Sequence, residues 1–466
     1  MKNIFKKLLL AGVAAGTFIF NPPLDATNFF PTVQAEIKTY TGTGKGIQCD
    51  LITIEKAKEY ARLRAEINAK DQAGVYLRGY TKMQNFNLTE NKIEVITNSI
   101  VNIVGEVQYS MKPFEYDGVP AVLHTATLQA NIDTDGINAY INREDTNKLQ
   151  SARKDILENL DKIENLIERY NRATTQAEKD KIRAELSDAD KKVLAGQKLN
   201  AGNEFAYKGE YQSAIELYNE ALQLNPNFDW AYNNRGIAYD ELKQYEAAVS
   251  DYNKAIEINP NDSDAYYNRG IAYDDLKKYD AAISDFNKAV EINPNYLEAY
   301  YNRGVVYSNL NQYDAAISDY NKALEFNPNL AQAYYNRGVA YAELNQYDAA
   351  ISDFNKAVEI NPNYEDAYYN RGIAYTLSDN LKQAIIDFTK CIKLNPNDSG
   401  AYQLRGICYQ ESGNFKKAIS DFNKAIELNP NYADTYQLRG LLYQELGKKK
   451  KADADFAKAK ELGYKE

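Results

Sequence analysis

Apolar residues fall along this chain in four rhythms, and each predicts a different kind of element. The first is an unbroken apolar run from Leu8 to Phe20, entered through Lys2, Lys6 and Lys7. The second occupies residues 36–145 and mixes two periods. Ala57, Ala61, Ala65, Ala69 and Ala73 recur every four residues, which predicts a helix from about Ile54 to Arg78 with a small-residue stripe for close packing on a sheet. Apolar alternation at Ile100–Val107 and Ala121–Ala130 predicts two strands, with Tyr116-Asp117-Gly118 as a turn signal between them. The third rhythm runs through residues 146–194, where Ile156, Leu160, Ile163, Ile167 and Tyr170 keep the spacing of a coiled-coil seam. That seam serves either a partner chain or an intrachain hairpin with the helix beginning near Thr175; its two heptads favour the hairpin.

The fourth rhythm dominates. From residue 195 onwards prolines stand every 34 residues from Pro226 to Pro430, glycines from Gly202 to Gly440 and alanines from Ala214 to Ala452. One unit reads Ala231-Tyr232-Asn233-Asn234-Arg235-Gly236-Ile237-Ala238-Tyr239, followed by Ala248, Tyr252, Ala255 and Pro260. Two stretches of helical length, about 232–243 and 246–258, fill it. Gly236 and Ala248 are small where the two helices must meet closely, and Tyr239 and Tyr252 fill the space around that contact. Asn259-Pro260-Asn261 ends the second helix, because proline lacks a donor and disfavours helix in the residue before it. A lone helical pair cannot cover its own apolar face, so units of this kind stack.

These residues resemble the tetratricopeptide repeat, W-x2-L-G-x2-Y, then A-x3-F, then P. The resemblance covers residues 195 to about 464 as eight units, the last a polar cap with Gly463-Tyr464 and Lys448–Lys451. It implies a mostly α fold, an α-solenoid of helical hairpins wound as a right-handed superhelix.

Two departures from the pattern stand out. Arginine replaces the usual apolar residue before the glycine in seven repeats, at 235, 269, 303, 337, 371, 405 and 439. In the same seven an aspartate precedes the second-helix aromatic, at 251, 285, 319, 353, 387, 421 and 455. The first repeat has neither, carrying Ala201 and Leu217. Joint presence and joint absence predict an Arg–Asp pair inside each repeat, and separations beyond about 5 Å would contradict it.

The resemblance also implies that the first helix of each repeat lines a concave groove. Two residues before the glycine stand Asn234, Asn268, Asn302, Asn336 and Asn370, a ladder able to clasp the main chain of an extended peptide. Beside it lie Tyr267, Tyr301, Tyr335 and Tyr369, which offer flat amphipathic contact area. The same residues could instead bridge neighbouring repeats and pack. Leu404 and Leu438, with Gln403 and Gln437, break the ladder in repeats seven and eight. The basic clamp that some family members use for a terminal carboxylate is missing, since Trp230, Asp264, Glu298, Gln332 and Asp366 hold those positions. Acids recur further on, at Asp240, Glu241, Asp274, Asp275 and Glu343, which favours neutral or basic segments.

Composition narrows the function classes. A single histidine, His124, and three scattered cysteines, Cys49, Cys391 and Cys408, cannot assemble a His/Cys zinc site or an iron–sulfur cluster. The net charge of −10 speaks against a general phosphate-backbone binder. No cofactor, metal or nucleic acid is expected. Cys391 and Cys408 fall at small core positions of adjacent repeats, either as buried thiols or as a bridge. Of the 39 tyrosines, 31 lie in residues 195–466, mostly at fixed repeat positions, which marks them as packing residues.

The basic start and short apolar core describe a secretory signal peptide, residues 1–35, with cleavage after Ala35 or, less well, Ala26. Residues 36–145, with Thr41-Gly42-Thr43-Gly44-Lys45-Gly46 read as a turn or strand end, resemble a small α+β domain of bacterial envelope lipoproteins and of the N-terminus of a flagellar assembly protein. Residues 146–194 are a helical spacer and 195–466 the repeats. The expectation is an exported, non-enzymatic scaffold, periplasmic or in the cell envelope, that binds a protein or extended peptide. The alternatives are a self-assembling envelope protein, with homo-oligomers, and an enzyme whose site lies in residues 36–145.

Overall fold

The structure, a computed structural model, describes residues 38–48, 52–83, 101–116, 119–132 and 152–464. The signal-peptide segment, the Asp117-Gly118 turn and Cys49 lie outside the described residues. The chain divides into two compact units, residues 24–294 and 295–466.

The first unit opens with strand β1 (Lys38–Gln48), helix α1 (Ile54–Met83), and strands β2 (Val101–Tyr116) and β3 (Val119–Ile132). The strands form one antiparallel sheet in the order β1-β3-β2, with Thr43 opposite Thr127 and Tyr116 opposite Val119. His124 sits in β3 between Gly46 and Met111. The glycine-rich stretch is the interior of β1 rather than a turn or strand end. Gly42, Gly44 and Gly46 stand opposite Leu128, Ala126 and His124 of β3. Helix α1 packs on β1, and Ala57, Ala61, Ala65 and Ala69 of its small stripe are fully buried.

Helices α2 (Arg153–Arg172) and α3 (Gln176–Tyr207) form a hairpin. Thr175 starts α3 through a capping box with Glu178. The seam residues Ile156, Leu160, Ile163 and Ile167 are buried against the same chain, in a cluster with Ile182, Ala189, Val193 and Leu199. A Cβ on Gly196 would come within 2.6 Å of Ile156 Cγ1, so the close approach of the two helices depends on that glycine. The spacer and the repeats do not part at residue 195, because α3 runs straight through it and supplies the first helix of repeat one. Helical periodicity continues unbroken there, with no cap, glycine turn or proline to stop it.

Repeats two to eight follow as helical pairs, from Asp229–Glu241 with Tyr245–Ile258 to Ala433–Glu445 with Lys449–Glu461. In each, the glycine of the first helix lies on the aromatic ring of the second; a Cβ on Gly236 would sit 2.6 Å from Tyr252 Cε1. The turn between the helices takes one residue through the left-handed region, Lys243 at φ 59° and Gly413 at φ 74°, for example. That conformation lets Lys243 N–H donate to the Asp240 carbonyl and Gln244 N–H to the Tyr239 carbonyl, which satisfies the helix end.

The Arg–Asp pairs are present in all seven repeats expected to hold them. Each guanidinium donates through Nε and Nη2 to the two carboxylate oxygens at 2.5–2.9 Å. Arg235 Nη1 also reaches back to Asn219 Oδ1 at 2.5 Å, and Arg337 Nη1 to Asn321 Oδ1 at 2.5 Å, so one side chain ties three helices. Each guanidinium also lies 5.2–5.6 Å from the centre of the tyrosine ring three residues earlier. Burial pushes the Asp285 carboxyl up, and the Arg269 hydrogen bonds only partly reverse this. In Arg269 burial works against the charge, but the bonds to Asp285 outweigh it and hold the proton more firmly.

Cys391 and Cys408 are buried free thiols, not a bridge. Cys408 lies 3.4 Å from Thr376 Oγ1, and burial pushes its thiol up to about 12, which leaves it unreactive.

Candidate functional site

Within each unit the ladder asparagines share one face of successive first helices, Asn234 with Asn268 and Asn302 with Asn336 and Asn370, but they are not open to solvent. Asn234, Asn268, Asn302, Asn336 and Asn370 are 0–5% exposed. Asn234 Nδ2 donates to Asn203 Oδ1 at 2.9 Å, and Asn268 Nδ2 to Asn233 Oδ1 at 3.1 Å. In the second unit the acceptors are tyrosine hydroxyls: Asn336 Nδ2 donates to Tyr301 Oη at 2.9 Å and Asn370 Nδ2 to Tyr335 Oη at 2.8 Å. Each such bond joins one repeat to the repeat before it.

The tyrosines are therefore corrected from contact surface to core. Tyr267, Tyr301 and Tyr335 are 7%, 0% and 0% exposed, and Tyr369 is half-buried. Each ring packs on the second-helix aromatic of its own repeat at 5.9 Å between centroids, Tyr267 on Phe286 and Tyr335 on Phe354 among them. The physical reason is geometry: a first-helix residue three before the glycine faces the ring that the glycine admits. The sequence did carry a signal for the bridges, because donor and acceptor recur 35 residues apart, one repeat plus one position.

One feature of the ladder is left open. The Oδ1 atoms of Asn268, Asn336 and Asn370 are buried and have no hydrogen-bond partner. An unmatched buried acceptor costs about 1–3 kcal/mol, and here it recurs at one repeat position. At Asn336 and Asn370 turning the amide over does not cure it, since the tyrosine hydroxyl can match only one end of the group.

Polar residues flank this face in each unit. Asp264, Glu298, Gln332 and Asp366 stand three residues before Tyr267, Tyr301, Tyr335 and Tyr369, and Asp274, Asp275 and Glu343 lie near the helix ends; Glu298 and Asp275 are exposed and the others half-buried. Burial, with the neighbouring Asp275 charge, pushes Asp274 up to about 6. Burial likewise raises Glu343. Such a rim disfavours anionic ligands and accepts neutral or cationic ones. Among the described residues no group of three or more His, Cys, Asp or Glu could hold a metal ion, and no helix is long and apolar enough to cross a membrane.

Comparison with known proteins matches the repeats unit by unit. Residues 230–262, 263–296, 297–330, 331–364, 365–398 and 400–432 match the family described as the tetratricopeptide repeat. Two further descriptions of the repeat match residues 202–243 and 422–454, so the matches together span more than half of the chain. No curated protein matches it. Among solved structures, this chain is similar to YrrB, described as a TPR protein with an unusual peptide-binding site, at 28% identity over 40% of this chain and 96% of that one, with a TM-score of 0.37. It is similar to MamA of Desulfovibrio magneticus at 27% identity over 36% and 96%, with a TM-score of 0.35. A tetratricopeptide repeat protein from Parabacteroides merdae is 24% identical over 53% and 98%, with a TM-score of 0.40.

Proposed function

Since the chain belongs to the tetratricopeptide repeat family, whose arrays are scaffolds for protein–protein interaction, we propose that it holds an extended segment of a protein partner along the ladder face of its first helices. The observation that carries this reading is the pair of unmatched carbonyls at Asn336 and Asn370 in the second unit, with the same feature at Asn268 in the first. A backbone N–H from an extended segment is the donor each one lacks, and backbone donors recur along any sequence. These carbonyls lie one layer below the surface, so binding is coupled to a slight parting of neighbouring repeats. The acidic rim selects segments that are neutral or carry lysine and arginine. The scaffold is non-enzymatic and works outside the cytoplasm, in the periplasm or cell envelope, as the basic start and apolar run of residues 2–20 support.

Crosslinking pulldown from envelope fractions tests this reading. Wild type is compared with Asn268→Ala/Asn336→Ala/Asn370→Ala, with thermal melts to confirm that the variant is folded at the assay temperature. The expected result is loss of a discrete partner; unchanged recovery contradicts the proposal. Fractionation of cells carrying the full chain and a form lacking residues 2–35 tests export, with retention of the shortened form in the cytoplasm expected.

A further inference from the structure

The two repeats nearest the C-terminal end invert a charge pattern that repeats two to five keep. The second helices of repeats two to five begin with an acid in the first turn, Glu246, Asp280, Asp314 and Asp348. That choice suits the helix dipole, whose positive end is there. The second helix of repeat seven begins Phe415-Lys416-Lys417, and that of repeat eight begins Lys449-Lys450-Lys451 after Lys448 as its N-cap. Six lysines thus stand at the ends of two helices where the dipole repels them. Residues 195–400 hold 17 Lys and Arg against 30 Asp and Glu, whereas residues 401–466 hold 12 against 9.

Fold stability does not account for these lysines. All six are exposed, and none makes an ion pair; Lys254, Lys322 and Lys356 on other second helices each pair with a glutamate three residues on. Lys417 lies over the Tyr409 ring at 5.1 Å, and Lys448 and Lys451 share the Tyr443 ring at 5.9 and 5.4 Å. A polar end for the array needs no particular sign of charge, and acids there would also suit the dipole. Glu411 and Glu445, on the preceding helix ends, leave the edge with a surplus of positive charge.

We propose that this edge is a docking surface for an anionic lipid bilayer. Lysine ammonium groups are flexible point charges suited to a diffuse layer of headgroups, whereas planar bidentate recognition uses arginine. Every repeat arginine is already committed inside the array, and the edge contains none. A nucleic acid is the poorer occupant, because the edge's aromatic rings lie beneath the lysines rather than free to stack.

The test is co-sedimentation of the full chain with vesicles of phosphatidylcholine alone and of phosphatidylcholine mixed with phosphatidylglycerol. Binding to the mixed vesicles only, released by high salt, is expected. The variant Lys416→Gln/Lys417→Gln/Lys449→Gln/Lys450→Gln should lose at least about tenfold in affinity. Its melting temperature should stay level or rise, because cations leave the positive ends of two helices, so the loss cannot be assigned to unfolding. Failure to bind mixed vesicles, or equal binding by the variant, overturns the proposal. Lysine-dependent retention on polyglutamate or duplex DNA without vesicle binding would reassign the edge to an acidic protein or a nucleic acid, and also overturns it.

Discussion

Repeat one and repeat three fold alike but treat the same two positions in opposite ways. Repeat three has Arg269 and Asp285, locked by two short hydrogen bonds on an outer face, with Asp285 only 5% exposed. Repeat one has Ala201 and Leu217, and that face opens on a cavity of about 380 Å³ shared with Leu63 and Ile67 of α1 and Ile156 of α2. Arg269 and Asp285 are mostly buried within the array, whereas Ala201 and Leu217 are half-buried beside α1 and α2. The pair therefore supplies a polar fastening inside the array, tying second helices to the helix between them, that repeat one does without.

The sharpest way to break this comparison is to remove one partner. Asp285→Ala strands a half-buried guanidinium and should cost about 3 kcal/mol in chemical denaturation of the unit. Arg269→Met/Asp285→Leu, which copies the apolar solution of repeat one, should recover most of that loss. If the single and double variants are equally damaged, the pair has no role distinct from shape.

The converse exchange comes next. Ala201→Arg/Leu217→Asp places charges at half-buried positions of the cavity beside repeat one and should cost on the order of 1 kcal/mol, with protease cleavage near α1 as a second readout. A neutral effect would show that α1 does not rely on an apolar seat.

A comparable effect separates the acidic rim from the pairs. Asp274, at about 6 when folded against an ordinary carboxyl value of 3.8, binds its proton more tightly folded than unfolded. Its stabilising contribution is therefore complete below pH 3.8 and lost as pH rises through 6. Moving from pH 7 to pH 5 should add on the order of 1 kcal/mol, discounted for partial exposure, and Asp274→Asn should abolish that gain. Thermal melts of both proteins at the two pH values check it.

The smallest test concerns the turns. Lys243 holds a left-handed backbone at φ 59°, where repeats seven and eight use Gly413 and Gly447. Lys243→Gly should stabilise by a few tenths to about 1 kcal/mol, the relief of strain exceeding the added freedom of the unfolded chain. A loss would mean that the lysine side chain contributes more than the strain costs.

Much of this was legible in the sequence. The 34-residue spacing of glycine, alanine and proline defined the helical pairs, and the joint occurrence of arginine and aspartate pointed to the pair before any geometry. The groove was read less well. Asn336 and Tyr301 were placed on the correct helices, but sequence spacing alone does not reveal that a tyrosine hydroxyl 35 residues back accepts the amide. Nor does it show that the same ring is sealed against Tyr320. Alternating glycines hid β1, since they carry no apolar signal in either period. The boundary at 195 falls inside α3, and a helix shared by two modules has no stop signal to read.

The main claim, that the ladder face grips a partner through its main chain, has one direct measurement. The captured partner segment is titrated against the full chain in its native form and with alternate backbone nitrogens methylated. The account predicts at least about tenfold weaker binding on methylation, and little change when exposed side chains of the segment are replaced by alanine. Binding that survives methylation but fails on side-chain replacement would contradict it.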